Sequence, residues 1–269
     1  MAKQKRMVVI ADQHAGHRVG LTPPDFQWKI PTSAEHIWQK VARIQRECWR
    51  WYAKKVREIR PVDILVVNGD CIDGRGEKSG GVELITGDRS EQCDIALRGI
   101  EVWGAKHVII VRGTPYHTGD KEDWESVLAG RARAKKVGDH EWLDMNGVVF
   151  DFKHYIGRSS IPHGQTTPQT RDWLWNALWA DAGYQPRADW IIRSHVHYSR
   201  EANGWRGDRE WHALTTPALQ AMGTRFGARM CSNLVDYGFM HWDIDAKGEV
   251  ECQKHVEFIR SQKAYALKL

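Results

Sequence analysis

Residues 62–70 read VDILVVNGD. The run from Ile64 to Val67 is apolar without alternation, the pattern of a strand buried on both faces, and the stretch ends on a carboxylate, Asp70. Burial on both faces needs covering helices, and the neighbouring sequence supplies them. Upstream, residues 31–61 carry apolar side chains at 37, 38, 41, 44, 48, 51, 52, 56 and 59. That spacing of three and four marks a long amphipathic helix, with Thr32 or Ser33 as N-cap and Pro61 as stop. Before it, MVVIA (7–11) repeats the buried-strand pattern, and after it EQCDIALRGIEVW (91–103) reads as helix and HVIIVRG (107–113) as a third strand. Strand, helix, strand, helix, strand argues for an α/β fold with a largely parallel sheet.

The second half changes character. HEWLDMNGVVFDFKH (140–154) places Asn146-Gly147 between two alternating segments, a hairpin signal. A helix, TRDWLWNALWADAG (170–183), precedes the strand DWIIRSH (189–195). The segments REANGWRGDREWHAL (200–214) and GFMHWDIDAKGEVECQKHVEF (238–258) read as antiparallel ribbons. No fixed-period repeat or low-complexity linker divides the chain, so residues 1–269 are expected to form one domain, with 74–91 and 156–170 as surface loops near a site.

Composition sets the class. The chain has 269 residues, 42% hydrophobic and 27% charged, which is ordinary globular usage. A net charge of +5 is compatible with phosphate-bearing partners but falls short of a nucleic-acid-binding tail. The five cysteines at 48, 71, 93, 231 and 252 lack metal or disulfide spacing and suit a reducing, cytoplasmic setting. No run is long enough for a signal peptide or a membrane span, so no membrane partner is expected. Fourteen tryptophans, Trp38, Trp51, Trp173, Trp175 and Trp179 among them in helical patterns, are read first as core and interface packing. They leave base stacking and self-association into a homo-oligomer open.

Five strings lie at or just past the C-terminal ends of predicted strands: Asp12-Gln13-His14, Asn68-Gly69-Asp70 with Asp73, Gly113-Thr114-Pro115-Tyr116-His117, His154, and His195-Val196-His197. Ligands of open α/β sheets bind beyond those ends, so distant residues can meet there. Carboxylate and imidazole together suit divalent metals such as Mn, Fe, Zn or Co; Cys71 is the one thiol in these strings. In extended chain, alternate side chains point the same way, so Asp12 with His14 and His195 with His197 can each offer two groups to one cavity.

The ordered set DxH, GDxxD, G…H, H and HxH, spanning about residues 7–198, resembles the calcineurin-like metallophosphoesterase family. The resemblance implies a four-layer αββα sandwich of two mixed β-sheets flanked by helices, with the C-terminal ribbons in the second sheet. It implies one metal on Asp12, His14, Asp70 and His197 and a second on Asp70, His154 and His195, with Asp70 as bridge. A hydroxide between the metals would attack phosphorus, with His117 as proton donor or charge stabiliser at the leaving oxygen. The cofactors expected are two divalent ions, Mn first, with Fe, Zn, Co, Ni or Mg as alternatives. One departure stands out: the family's Gly-Asn-His-Asp/Glu is here GTPYHTGD (113–120), so the asparagine ligand is missing and two residues are added before His117. Thr114, a water or weak binding of the second metal are the alternatives.

The implied activity is phosphoester hydrolysis, and mild basicity with tryptophan-rich loops favours a phosphodiesterase acting on nucleotides or nucleic acid. A phosphomonoesterase is the alternative, although GDCIDGRG puts Gly74 before Arg75 where protein-serine/threonine phosphatases carry an arginine pair. A retired phosphoesterase fold serving as a binding scaffold is the reading from another class. Thr114, Tyr116, His17 and Arg75 are candidate substrate contacts. The plainer readings make His17 and His163 loop histidines, His212, His241 and His255 structural or exposed, and Arg112 and Arg193 salt-bridge partners beneath the sheet. Asp73 either orients a ligand or caps the turn before Gly74.

Overall fold

The computed structural model describes residues 3–29, 36–118, 122–159, 161–223 and 234–266. Its first strands, β1 (Lys5–Ile10), β2 (Ile64–Asn68), β3 (His107–Val111) and β4 (Lys136–Gly138), run parallel. Register pairs Met7 with Ile64 and Ile10 with Val67, so the two tips carrying Asp12 and Asp70 end side by side. Alternation divides each strand between two cores. Val8, Ile10, Leu65, Val67 and Ile110 face the helices, whereas Met7, Val9, Val66 and Val111 face a second sheet.

Helix α1 (His36–Ile59) buries Val41, Ile44, Cys48, Tyr52, Val56 and Ile59, the expected stripe, and stops two residues before Pro61. The expected cap residues Thr32 and Ser33 lie outside the described residues. Helix α2 (Arg89–Glu101) starts on Asp88, whose side chain accepts from the Ser90 amide at 2.8 Å. It ends before Trp103, which the sequence placed inside it; that indole is buried and donates to the Tyr52 hydroxyl at 2.6 Å. A single turn, α3 (Pro115–Thr118), and α4 (Trp124–Arg131) follow β3.

The second sheet is built from β5 (Glu141–Met145), β6 (Val148–Phe152), β7 (Trp190–Arg193), β8 (Glu201–Arg206) and β9 (Arg209–Thr215) in the order β5-β6-β7-β9-β8. Asn146 and Gly147 join β5 to β6 with φ of 56° and 90°, the left-handed pair a tight hairpin turn requires. Phe150, Phe152, Trp190, Ile192 and Leu214 close the core between the sheets. On the outer face, α5 (Thr167–Asp181) covers Ile191 and Ala213, with Trp173 stacked on Trp211 at 4.2 Å. The layers are therefore helix, sheet, sheet, helix, an αββα sandwich of two mixed sheets.

Two expectations are corrected. The last ribbon, β10 (Tyr237–Ile244) and β11 (Val250–Glu257), joins the first sheet, with β10 antiparallel to β1. The reason is burial: Tyr237 and Phe239 fill the helix-side core and Met240, Trp242 and Ile244 the inter-sheet core, so β10 must be an interior strand. Trp175 and Trp179 are 49% and 43% exposed rather than core residues, because they sit one turn apart on the outer face of α5. Among the described residues no helix is long and apolar enough to cross a membrane, and Cys48, Cys71, Cys93 and Cys252 are free.

Candidate metal centre

The tips of β1, β2 and β7 share an unusual backbone. Asp12, His14, Asp70, His195 and His197 have φ of 51°, 42°, 49°, 69° and 58°, the left-handed region that side chains other than glycine rarely occupy. The extended-chain account of the i, i+2 spacing is thereby corrected: these residues lie past the strands, and left-handed turns swing alternate side chains inward. Each such residue costs on the order of 1–3 kcal/mol and persists where surrounding bonds enforce it. Here the Asp12, His14 and Ala15 amides each donate at 3.0 Å to the carbonyls of Gly69, Asp70 and Cys71, and the Asp73 amide returns a bond to Ala15 at 3.0 Å. Gly69, at φ 83°, has no room for a side chain, because a Cβ would strike the His154 ring.

Six sequence-predicted ligands converge. Asp12 Oδ1 lies 3.8 Å from His14 Nε2 and 3.2 Å from His197 Nε2, and those two nitrogens are 3.2 Å apart. Asp70 Oδ2 lies 3.0 Å from His154 Nε2 and 3.8 Å from His195 Nδ1. Asp12 Oδ1 and His154 Nε2, 3.9 Å apart, link the two sets. Donors at about 2.0–2.2 Å from a common ion stand roughly 3–3.6 Å from each other, which is the scale found here. Asp12 Oδ1 and His154 Nε2 are fully buried yet make no hydrogen bond; His154 approaches Asp70 without hydrogen-bond alignment. Buried polar atoms left unpartnered and aimed at one another fit a cation between them. A third donor group, His14, Asp70 and His117, overlaps the first two.

Outer contacts fix which nitrogen each histidine presents. His14 Nδ1 donates to Asp73 Oδ1 at 3.1 Å, His117 Nδ1 to the Asp73 carbonyl at 2.9 Å, and His154 Nδ1 to the Asn68 carbonyl at 2.6 Å. Each bond turns Nε2 toward the cluster, the arrangement that orients metal-binding imidazoles. Asp73 therefore fixes the His14 ring, the contact that the orienting role expected for it would use. Burial, with His117 nearby, pushes the His14 pKa down to about 4, so His14 is neutral and its Nε2 lone pair is free to ligate. Burial opposes charge on His154 too, but the Asp70 and Asp12 carboxylates outweigh it and push its pKa up to about 10. Burial alone would raise Asp12 and Asp70; His197 holds Asp12 below the usual range, and His154 and His117 hold Asp70 well below it. Two carboxylates thus stay ionised in a water-poor site, and a proton on His154 and a cation are alternative ways to balance them.

Thr114 stands where the family pattern has asparagine. Its amide donates to Asp70 Oδ1 at 2.7 Å and its hydroxyl lies 3.1 Å from that oxygen and 3.4 Å from Oδ2, so Thr114 holds the carboxylate with Oδ2 toward the histidines. Sequence reasoning missed two supports. Asn68 binds the Ser194 hydroxyl at 2.7 Å, tying the β2 and β7 tips together. Glu125 on α4, fully buried, accepts from the amides of Cys71 at 2.9 Å and Gly113 at 2.5 Å, and thereby fixes the loops on both sides of Asp70. Asn68 was visible inside the NGD string; nothing in the local sequence marks Glu125.

Of the remaining candidates, Tyr116 packs edge-on against His117 with ring centroids 4.6 Å apart. His17 is buried, with Nε2 3.4 Å from Glu83. The Arg75 side chain is 62% exposed and 4.0 Å from Glu122. Arg193 is buried between Asp151 and Asp172, both at 2.7 Å, and Arg112 pairs with Asp123 at 2.8 Å, the salt-bridge roles expected of both. His163 is exposed, and His212 stacks on Trp190 at 3.9 Å.

The chain matches no known family profile and no curated protein. Among solved structures it is similar to an archaeal phosphodiesterase (11% identity, 94% of this chain and 99% of that chain, TM-score 0.44). YfcE, a phosphoesterase from E. coli, is similar at 12% identity over 91% of this chain and 96% of that one, with a TM-score of 0.40. Vps29 from Entamoeba histolytica complexed with zinc is similar at 12% identity over 93% and 98% of the two chains, with a TM-score of 0.38. With TM-scores below 0.5, these likenesses carry no weight in the reading of the site, which rests on its own geometry.

Proposed function

We propose that this protein is a metal-dependent phosphoester hydrolase with a dinuclear centre, acting on phosphodiesters of nucleotides or nucleic acid. The observation that carries the reading is the meeting of two donor sets, Asp12–His14–His197 and Asp70–His154–His195, at two buried atoms that have no hydrogen-bond partner, Asp12 Oδ1 and His154 Nε2. Asp12, His14 and His197 would hold one divalent cation and His154 and His195 another, with Asp70 shared between them; manganese is the first candidate. Bound there, two cations supply Lewis acidity to the phosphoryl oxygens and lower the pKa of water toward neutrality.

The chain's own groups do the rest. Thr114 fixes Asp70, Asp73 orients His14, and the burial of Asp12, Asp70 and His154 excludes water from the inner side. His195 and His197 are half-buried, so the centre opens on their side. As the water oxygen adds to phosphorus and the bond to the leaving oxygen breaks, that oxygen needs a proton. We assign its delivery to His117, whose Nε2 lies 3.9 Å from Asp70 Oδ2 and whose Nδ1 is held by the Asp73 carbonyl, a geometry that supports the role.

The test is chelator-stripped protein reloaded with Mn, Zn or Co, its metal content measured, and bis-p-nitrophenyl phosphate compared with p-nitrophenyl phosphate. Two ions per chain and faster turnover of the diester support the proposal. No uptake and no turnover would reduce the protein to a non-catalytic binder, and faster monoester turnover would move it to phosphomonoesterases.

A further inference from the structure

Two aromatic rings rise from the rim of this centre on separate histidines. Asp70 Oδ2 lies 3.9 Å from His117 Nε2 and 3.8 Å from His195 Nδ1. Tyr116 rests edge-on against the His117 ring, and Tyr155 tilts over the His195 ring with centroids 5.0 Å apart. Tyr155 follows His154 directly in sequence and is 58% exposed, so more than half of this large residue is left to solvent beside the half-buried His195. Isolated surface aromatics are common and need no explanation. This one sits on a candidate metal-binding imidazole and is one residue from another.

A phosphodiester has two arms. If His117 serves the departing oxygen, the leaving arm runs out past His117 and Tyr116, and the arm that stays on phosphorus runs out on the His195 side. The group met there is the exposed Tyr155, in contact with His195. A phenol ring offers a planar π surface to which any nucleobase can stack, at an affinity cost on loss of about tenfold or more. A monoester substrate has only its leaving arm, so its turnover gains nothing from this ring, whereas the product of diester cleavage still carries the retained arm.

We infer that Tyr155 is a specificity-determining residue that stacks on the nucleobase of the nucleotide arm retained on phosphorus during diester hydrolysis. The inference rests on the phosphodiesterase reading and assigns its substrate class.

Two diesters with the same leaving group isolate the retained arm: thymidine 5′-(p-nitrophenyl phosphate) and ethyl p-nitrophenyl phosphate, assayed on the Mn-loaded full chain. Wild type should prefer the thymidine ester in kcat/KM by about tenfold or more. Tyr155→Ala should collapse that ratio toward one, mostly through KM, and Tyr155→Phe should keep it. A wild-type ratio near one, or a ratio that Tyr155→Ala leaves within twofold, overturns the inference. If wild type hydrolyses neither ester, the hydrolase reading fails, and the role of Tyr155 is decided by equilibrium binding of thymidine 5′-phosphate against ribose 5-phosphate. Selective weakening of the thymidine compound in Tyr155→Ala then supports the stacking role; equal affinities for the two ligands in wild type, or no selective change in the variant, overturn it.

Discussion

Asp70 has its two oxygens committed to different tasks. Oδ1 accepts from the Thr114 amide, and Oδ2, 3.4 Å from the Thr114 hydroxyl, faces His154, His195 and His117. Asp70→Asn cannot serve both, because its amide must point a donor either at the Thr114 N–H or into the histidine cluster. The variant should lose both ions by elemental analysis and lower kcat/KM by more than about a hundredfold, the upper end for groups merely supporting a metal ligand. His117→Ala should retain its ions but slow esters with poor leaving groups by about 10²–10⁴ while sparing activated nitrophenyl esters. Equal losses on both kinds of ester would remove the proton-donor role. At this scale the sequence was informative because ligand chemistry is carried by residue type and order. The left-handed backbone at Asp12, His14, Asp70, His195 and His197 was not legible, since none of them is a glycine and the bonds that enforce it come from another strand tip.

Among the elements, β6, β7 and α5 are tied by one buried ion network. Arg193 binds Asp151 and Asp172, and Asp151 also accepts from His140 Nε2 at 2.8 Å and Asn176 Nδ2 at 3.0 Å. Arg193→Met removes the buried cation between two carboxylates, leaving Asp151 to His140 and Asn176 and Asp172 to Lys153 at 3.5 Å, and should cost about 3 kcal/mol at pH 7, measured by urea unfolding. Burial would raise the Asp151 pKa, but Arg193 and His140 hold it well below the usual carboxylate range. A depressed carboxylate stabilises the fold above its unfolded pKa, about 3.9, and loses that contribution as pH falls through the folded value. The wild type should therefore lose stability below about pH 4, and its margin over Arg193→Met should shrink there; a margin unchanged at pH 3 would contradict the coupling. Local elements were readable where their chemistry is local: Asn146-Gly147 gave the hairpin and the apolar stripe gave α1. Strand partners were harder. Nothing within 238–258 says that its partner is the strand at residues 5–10, and only the two-faced burial of β10 reveals it.

For the molecule as a whole, that pairing decides when the fold can be completed. Every proposed ligand has been made once residue 197 is synthesised, yet one edge of β1 still offers unpaired amides and carbonyls until residues 237–244 arrive. A chain cut after residue 223 should thus contain a full ligand set but aggregate on expression, because an exposed strand edge beside an opened core invites pairing with other copies. A soluble, metal-binding truncation would show that β10 is dispensable. On the ribosome, the same arrangement makes the β10–β11 ribbon a late clasp: the proposed ligands are delivered early, and the sheet whose tips carry Asp12, His14 and Asp70 is locked only when residues 237–244 emerge, so termination before them yields a sticky intermediate rather than a partly working centre.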